Sequence, residues 1–441
     1  MMDNPVFLVR LKEIRAMNYQ PLFRTLPSLT AALFAVSLII TSTSPAQQAG
    51  GTRINGVNKP DSRQNRRALR SNYGLSTYGV RKNPLRHAKR DEIINEMGGS
   101  DETEAAVVKA LDWFTLTQKE DGRWSETKSD VATTGLVILC YFAYGTDRYP
   151  ESKNGQALAK GLAWLVKQVD KNGDMRDGGR MYDQAIGTLA LGEAAGITRL
   201  EDVYQPLERA VAFLCQIQNP KSGGWRYNPL YENSSEKGDL SVSGFAIMAI
   251  RSAEMAGLRV PAKNLGSARE FLDIYSMGKH KGIYGYHKTV PKTSMIPVGM
   301  FCQQLYGIAL DDERQIESAK FLATRMPAAA QKNYYYWYYG TLSMHHHGGK
   351  PWQEWNAKMK PIFLEKQQTD GTWKPKGVHS KQEGTTITTA YATLSLTVYY
   401  RYLPIYKGYT RVSLIPKTGG STFGLRKQRP GSQRSNTTKN R

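Results

Sequence analysis

One short motif occurs three times in this sequence, each time at the end of a segment with helical periodicity. Two apolar residues are followed four positions later by a glutamine, and then by a glycine and a tryptophan. These three residues are Gln118, Gly122 and Trp124; Gln218, Gly224 and Trp225; and Gln367, Gly371 and Trp373. A motif that recurs at helix ends is typical of a repeat protein, so it constrains the fold more than any other feature.

Each residue of the motif suits a turn that ends a helix. The last carbonyl groups of a helix lack partners within it, and a glutamine amide can both donate and accept hydrogen bonds. Glycine adopts turn conformations that other residues resist, and tryptophan covers the turn with a large apolar surface. We therefore interpret the motif as a structural terminator of helices.

The repeat extends beyond the three clear copies. An aromatic anchor recurs at intervals of 42–58 residues, at Trp113, Trp164, Phe213, Phe271, Phe321 and Phe363. This interval fits one helix pair, which gives six pairs between about 102 and 403. The second helix of each pair is apolar nearly all round and should be buried, whereas the first is amphipathic. The sequence thus predicts an all-α (α/α)6 toroid, closed because the sixth pair ends in an apolar helix rather than a polar cap.

The motif resembles the QW repeats of the terpenoid cyclases and protein prenyltransferases. These repeats are also called prenyltransferase and squalene oxidase repeats. The resemblance spans about 102–403 and implies a squalene cyclase-like toroid over 91–407. Repeat two departs from the pattern because Met175 replaces the tryptophan. Repeat four has Tyr284 or Tyr286 in the aromatic place, and repeat five has lost the motif.

The cyclases of that family protonate their substrate with a D-x-D-D cluster, which this chain lacks. Three aspartates stand just before second helices instead: Asp130, Asp183 and Asp239. One interpretation is that they are helix N-caps. The other is that they form a ring of carboxylates at one rim of the toroid, where burial raises a pKa and creates a catalytic acid.

The prenyltransferases of that family hold zinc with Asp, Cys and His, and the matching positions here do not supply that set. Consecutive His345, His346 and His347 would point about 100° apart on a helix, so we predict no metal and no other cofactor. An aromatic run opens the fifth inner helix. From it we predict four residues that line a ligand cavity, with core packing as the alternative: Tyr335, Trp337, Tyr338 and Tyr339.

The net charge of +22 lies in the chain ends. Residues 1–90 and 411–441 hold 23 Lys and Arg against 3 acidic residues, while 91–410 holds 37 against 35. We predict disordered basic segments at 47–90 and 408–441. Such tails can touch anionic surfaces, although composition favours plain solvated tails, and we expect no specific nucleic-acid partner.

Residues 1–46 have the layout of an export signal. Cations precede a 12-residue apolar run from Leu29 to Ile40, which is short for a bilayer span, and small residues follow it. A cleaved signal peptide and an uncleaved signal anchor both fit, and either places the protein outside the cytoplasm. Three distant cysteines give no disulfide framework.

Together these features favour an exported toroid without the catalytic motifs of the family. We expect it to bind a hydrophobic ligand such as an isoprenoid, an extended ligand, or a protein partner. The first alternative is a squalene or terpene cyclase-like isomerase that uses one of the three aspartates. The second is a polysaccharide-acting (α/α)6 enzyme, which would need a pair of carboxylates.

Overall fold

The computed structural model describes residues 90–125, 129–176, 179–229, 237–330, 333–375 and 380–400. The predicted export segment, the basic linker up to residue 89 and the basic tail lie outside these ranges. None of the helices inside them combines the length and the apolar character that a membrane-spanning helix needs.

The described residues form a short first helix and six helix pairs. In chain order the helices are α1 (Arg90–Glu96), α2 (Asp101–Thr117), α3 (Asp130–Tyr144), α4 (Lys153–Lys167), α5 (Met181–Thr198), α6 (Glu201–Gln216), α7 (Leu240–Met255), α8 (Ala262–Ile274), α9 (Ile296–Leu305), α10 (Glu313–Ala323), α11 (Tyr334–His347), α12 (Gly349–Lys366) and α13 (Ser380–Leu396). Two-residue strands β1 (Ser276–Met277) and β2 (Ile283–Tyr284) pair antiparallel between α8 and α9. Short 3-10 helices cover Thr146–Arg148, Thr293–Met295 and Val398–Tyr400.

The second helices of the pairs form a closed inner ring. Around the ring, α3 contacts α5, α5 contacts α7, and the order continues through α9, α11 and α13 back to α3. The first helices surround this ring, and α12 contacts α2 across the seam between the sixth and first pairs. The all-α toroid of six helix pairs is therefore confirmed.

Burial follows the two helix types. Every residue of α3 from Val131 to Ala143 is buried, because the helix has neighbours on all sides. The outer helix α2 buries one face only, with Ala106, Ala110 and Phe114 among its buried residues. Spacings of three and four residues place such side chains on one stripe, which packs against the inner ring.

The three motif glutamines fasten neighbouring repeats together. In each case the side-chain Nε2 donates one hydrogen bond to a glycine carbonyl in its own turn and another to a carbonyl of the next outer helix. The pairs of bonds are Gln118 to Gly122 (2.8 Å) and Ala157 (2.8 Å), Gln218 to Gly223 (2.8 Å) and Asn264 (3.1 Å), and Gln367 to Gly371 (3.0 Å) and Ala106 (2.8 Å). The last bond reaches from the sixth repeat to α2 and helps to close the ring.

The motif tryptophans join the outer and inner layers. Each indole N–H donates to a carbonyl near the end of its outer helix: Trp124 to Phe114, Trp225 to Leu214, and Trp373 to Phe363. Each backbone N–H donates to a hydroxyl on the following inner helix, on Thr134, Ser243 and Thr389 respectively. The three motif tryptophans are buried and therefore leave neither of their N–H groups unpaired.

In repeat two, a residue outside the motif makes the same bonds. Gln184, on the inner helix α5, donates from Nε2 to Gly173 O (2.9 Å) and to Ala210 O of α6 (3.3 Å). Its Oε1 accepts the backbone N–H of Met175 (2.8 Å), which stands in the tryptophan position. Gln184 thus replaces both the motif glutamine and the hydroxyl. In repeat four, the hydroxyl of Ser318 donates to Gly282 O (2.6 Å).

The assignment of Gly224 to the turn position is wrong. Gly122 and Gly371, each two residues before a tryptophan, have φ of 101° and 88°, and the matching residue before Trp225 is Gly223, with φ of 75°. These left-handed values favour glycine. Gly224 instead lies against the ring of Phe271, where an added Cβ would overlap the ring carbons. The two adjacent glycines serve two different purposes.

The segment after α1 also lies across the seam. The side-chain amide of Asn356 on α12 donates to Gly98 O (2.8 Å), and the indole of Trp352 donates to Met97 O (3.1 Å). The hydroxyl of Tyr399 donates to Asn356 Oδ1 (2.6 Å), and α1 contacts the 3-10 helix at Val398–Tyr400. The beginning and the end of the described chain therefore meet at one place on the ring.

Candidate functional site

The starts of the inner helices meet at one rim of the toroid. Asp183 at the start of α5 accepts a hydrogen bond from the backbone N–H of Ala132 near the start of α3 (2.9 Å). Ser241, at the start of α7, receives a bond from the Tyr182 hydroxyl at its Oγ (2.8 Å) and from the Tyr335 hydroxyl at its carbonyl (3.3 Å). Because α9 separates α7 from α11 in the ring, the contact with Tyr335 crosses part of the ring interior.

Aromatic rings fill the axis just below this rim. Phe245 of α7 lies 6.1 Å from Tyr182, 6.2 Å from Tyr335 and 5.4 Å from Tyr339, measured between ring centroids. Tyr335 in turn lies 6.1 Å from Tyr391 of α13. Four inner helices thus contribute to one packed aromatic layer, which forms a floor beneath the rim.

Four half-buried tyrosines surround the rim: Tyr182, Tyr227, Tyr286 and Tyr335. We call them the tyrosine rim. Two of them, Tyr227 and Tyr286, come from turns outside the inner helices, and their hydroxyls share a hydrogen bond of 2.6 Å. Tyr227 lies 5.9 Å from Tyr182, and the exposed Arg180 places its guanidinium 5.3 Å from the Tyr227 ring centre. The rim therefore presents aromatic rings to solvent with a cation beside them.

Asp239 lies within the tyrosine rim and is completely buried, with 0% of its surface exposed. Its Oδ1 caps α7 by accepting the N–H of Val242 (3.0 Å), and it also accepts the hydroxyl of Ser241 (2.6 Å). Its Oδ2 accepts no hydrogen bond from any residue in the described part of the chain. Burial raises the pKa of Asp239, and hydrogen bonds from Ser241 and Val242 and the charge of Arg226 offset part of that rise.

Asp183 is also buried, but both of its oxygens are engaged. Oδ1 accepts the N–H of Ala132, and Oδ2 accepts the N–H of Arg180 (3.1 Å). Burial raises the pKa of Asp183 to about 6 against these bonds, and the nearby Asp130 raises the pKa further. Asp130 is half-exposed and forms an ion pair with Arg123 (3.1 Å). The structure thus brings Asp130 and Asp183 together, and it gives Asp183 and Asp239 the capping bonds of helix starts.

Of the four residues expected to line a cavity, only Tyr335 reaches the exposed rim. Trp337 packs against Tyr334 (5.1 Å) and against Phe363 of the outer helix α12 (5.5 Å), so its assignment to a ligand cavity is wrong. Helical periodicity explains the difference, because residues 335 and 339 share a face that 337 does not. Tyr338 and Tyr339 are buried below the rim, in contact with each other and with the aromatic layer.

Metal-binding groups do not assemble in the described ranges. No three His, Cys, Asp or Glu side chains there are grouped as metal ligands would be. His345 and His346 lie near the opposite end of α11, against Trp352 and Phe301. Cys140, Cys215 and Cys302 are free thiols, and burial raises the pKa of Cys215 to about 12, which disfavours a reactive thiolate.

The sequence interpretation missed most of the rim. Tyr182, Tyr227 and Ser241 were not predicted, and Tyr286 was considered only as the aromatic residue of repeat four, a place that the buried Tyr284 takes. One signal was available, because Tyr182 directly precedes Asp183 and Ser241 lies two residues after Asp239. The two turn tyrosines have no such signal.

Fold and rim together define an α/α toroid with an aromatic, carboxyl-containing site at the inner-helix starts. No protein-family model matches the sequence, and a comparison with curated proteins finds no significant match. Among solved structures, the chain is similar to the type II terpene cyclase MstE from Scytonema, at 13% identity and a TM-score of 0.49, over 69% of this chain and 99% of that one.

It is also similar to an inactive variant of an α-1,6-mannanase from Salegentibacter, in complex with α-1,6-mannotetrose. The identity is 10% and the TM-score 0.50, over 69% of this chain and all of the mannanase chain. Identities this low are evidence of fold, and unrelated functions share one fold. The toroid is therefore established, and the function has to be argued from the site.

Proposed function

We propose that this protein is an exported ligand-binding toroid whose binding site is the tyrosine rim. The observation that carries the proposal is the group of four half-buried tyrosines around Asp239, a buried carboxyl with one unpaired oxygen among the described residues. Concave sites with aromatic walls and a few convergent polar groups are typical of ligand binding. Export rests on the layout of residues 1–46.

The aromatic floor favours a ligand that lies in the rim rather than one enclosed by the ring. Phe245, Tyr335 and Tyr339 occupy the axis directly below. The ligand therefore needs a flat apolar face that stacks on tyrosine rings. A hydrophobic or an extended molecule can supply one. Two solved structures hold extended ligands, geranylgeranyl dihydroxybenzoate in a variant of MstE and mannotetrose in the mannanase variant, and both compounds are suitable probes.

Calorimetric titration of the purified full-length protein with each probe tests the proposal, together with mass spectrometry of co-purified compounds. Binding should be lost in Tyr335→Ala and Tyr286→Ala. It should persist in Tyr149→Ala, a control that removes an exposed tyrosine from a turn between α3 and α4. Binding that is unaffected by both rim substitutions would place the ligand elsewhere and refute the proposed site.

A second candidate is proton transfer by Asp239, as in a cyclase-like isomerase. The specific observation is that burial raises its pKa while Oδ2 faces no hydrogen-bond partner among the described residues. A protonated carboxyl in an aromatic site can donate a proton, and ring faces stabilise a developing cation. Incubation with squalene or geranylgeranyl dihydroxybenzoate should then yield isomers that Asp239→Asn does not form. Absence of product from the unmodified protein rejects this candidate and leaves the binding proposal intact.

A further inference from the structure

We infer that the ligand of the tyrosine rim is a neutral saccharide. This inference rests on the proposed binding site and specifies the chemistry of its occupant. Three features of the rim bear on it: the unpaired oxygen of Asp239, the balance of charges around that oxygen, and the tyrosine rings beside Arg180.

The unpaired carboxyl oxygen requires a hydrogen donor. Asp239 is 0% exposed, its Oδ1 is occupied by Ser241 and Val242, and no described residue donates to Oδ2. A buried polar atom without a partner is costly, and a donor that reaches it gains accordingly. A hydrocarbon ligand would leave the oxygen unpaired, whereas a ligand hydroxyl would satisfy it. Since Oδ2 is closed to solvent in this structure, binding requires a rim side chain to move aside.

The rim combines charges of both signs, so an ionic ligand of either sign meets a repulsion as well as an attraction. An anion would approach the carboxyl of Asp239. A cation would approach the guanidinium of Arg180 and the charge of Arg226, which is close enough to lower the pKa of Asp239. The inner-helix starts that meet here also carry partial positive charge. A neutral ligand with hydroxyl donors avoids both repulsions.

The remaining groups suit the face and the edge of a sugar ring. Tyr182, Tyr227, Tyr286 and Tyr335 are half-buried, so parts of their rings are open to an apolar C–H face. Arg180 is held over Tyr227, and within the described ranges its guanidinium forms no ion pair. Its N–H groups can donate to hydroxyl or ring oxygens. Carboxyl, guanidinium and aromatic faces together form a site for a polyol with one apolar face.

Saturation-transfer NMR on the full-length protein tests the inference. The probes are neutral tetrasaccharides of glucose, mannose and N-acetylglucosamine. Matched charged probes are tetragalacturonate and a glucosamine tetramer, and geranylgeraniol is the apolar probe. At least one neutral tetrasaccharide should bind, and Tyr335→Ala should abolish its signal.

Asp239→Asn should weaken the affinity at least about tenfold, because a hydrogen bond to a charged group is lost while asparagine still caps the helix. Asp312→Asn is the matched control, an aspartate that caps an outer helix by accepting the N–H of Arg314, and should leave affinity unchanged. If Asp239→Asn does not fold by circular dichroism, Asp239→Ser keeps a capping side chain and replaces it.

The two proposals fail differently. Rim-dependent binding of geranylgeraniol or a charged probe, without binding of any neutral tetrasaccharide, overturns the saccharide inference and leaves the binding site standing. Equal loss of saccharide affinity in the Asp312 and Asp239 variants also overturns it. If no probe gives a signal that depends on Tyr335, both proposals are wrong.

Discussion

The starts of α5 and α7 each carry a buried aspartate, but its place and its bonds differ: Asp183 is the third residue of α5, whereas Asp239 is the N-cap of α7. Both carboxyl oxygens of Asp183 accept hydrogen bonds from backbone N–H groups, one at the start of α3 and one at the start of α5, so Asp183 links neighbouring repeats. One oxygen of Asp239 accepts hydrogen bonds from the N–H of Val242 in its own helix and from the hydroxyl of Ser241. Its other oxygen accepts none from the described residues. Aspartates at the starts of neighbouring inner helices can thus differ, one linking two repeats and the other keeping an oxygen for a ligand.

The two regions also differ in how their turns are fastened. At the start of α5, Gln184 alone makes three bonds to the turn and to the next outer helix. At the start of α7, the corresponding hydrogen bonds are divided between Gln218, which makes two, and Ser243, which accepts one. Four stability measurements compare the starts of α5 and α7 and the rim between them.

The largest effect is expected from Gln184→Ala. It removes three buried hydrogen bonds to backbone groups, which should lower the free energy of unfolding by about 4 kcal/mol at roughly 1–1.5 kcal/mol each. Ser243→Ala at the corresponding place should cost about 1 kcal/mol, since Gln218 still holds the turn. Guanidinium denaturation measures both values. Equal losses in the two variants would mean that Gln184 does not stabilise its turn more than Ser243 stabilises the turn before α7.

The next effect is a pH dependence that belongs to Asp183. Its pKa is about 6 in the folded protein, against an ordinary aspartate pKa of 3.8 once the chain is unfolded. The folded state therefore binds more protons between these values, and the stability contributed by the group falls as pH rises. Relative to Asp183→Asn, the unmodified protein should lose about 3 kcal/mol between roughly pH 3 and pH 7. Asp239→Asn should show a difference of the same sign.

A smaller effect separates capping from ligand contact at Asp239. Asp239→Ala removes the acceptor for Val242 and should cost about 1 kcal/mol in urea denaturation, the usual value for a lost N-cap. Asp239→Ser should restore most of that loss, because serine is also a good N-cap. A serine variant that is no more stable than the alanine variant would contradict a simple capping role.

The smallest effect is expected from the rim hydroxyls. Tyr335→Phe removes a long bond of 3.3 Å to Ser241 and should cost about 0.5 kcal/mol, whereas Tyr227→Phe removes the 2.6 Å bond to Tyr286 and should cost about 1 kcal/mol. Thermal denaturation of the two variants side by side decides the order. A larger loss in Tyr335→Phe would show that the contact between α7 and α11 matters more to the fold than the contact between turns.

The fold could be predicted because its signal is local. Gln118, Trp124 and their counterparts stand at fixed positions relative to a helix end, so spacing alone counts the repeats. Gln184 was not predictable in the same way, since it completes the turn of repeat two from a different helix. Tyr227 and Tyr286 meet only because the ring brings two turns together. Trp337 is a different case, because helical periodicity alone separates it from Tyr335 and could have excluded it.

The meeting of α1 with the 3-10 helix at Val398–Tyr400 has a topological consequence. A ring whose first and last elements touch has no structural need to begin at any particular repeat. A gene rearranged to join residue 400 to residue 90 through a short linker, with new termini in the turn between α10 and α11, should encode the same toroid. Such a circular permutant would cut the chain where repeat five lacks the glutamine–tryptophan motif.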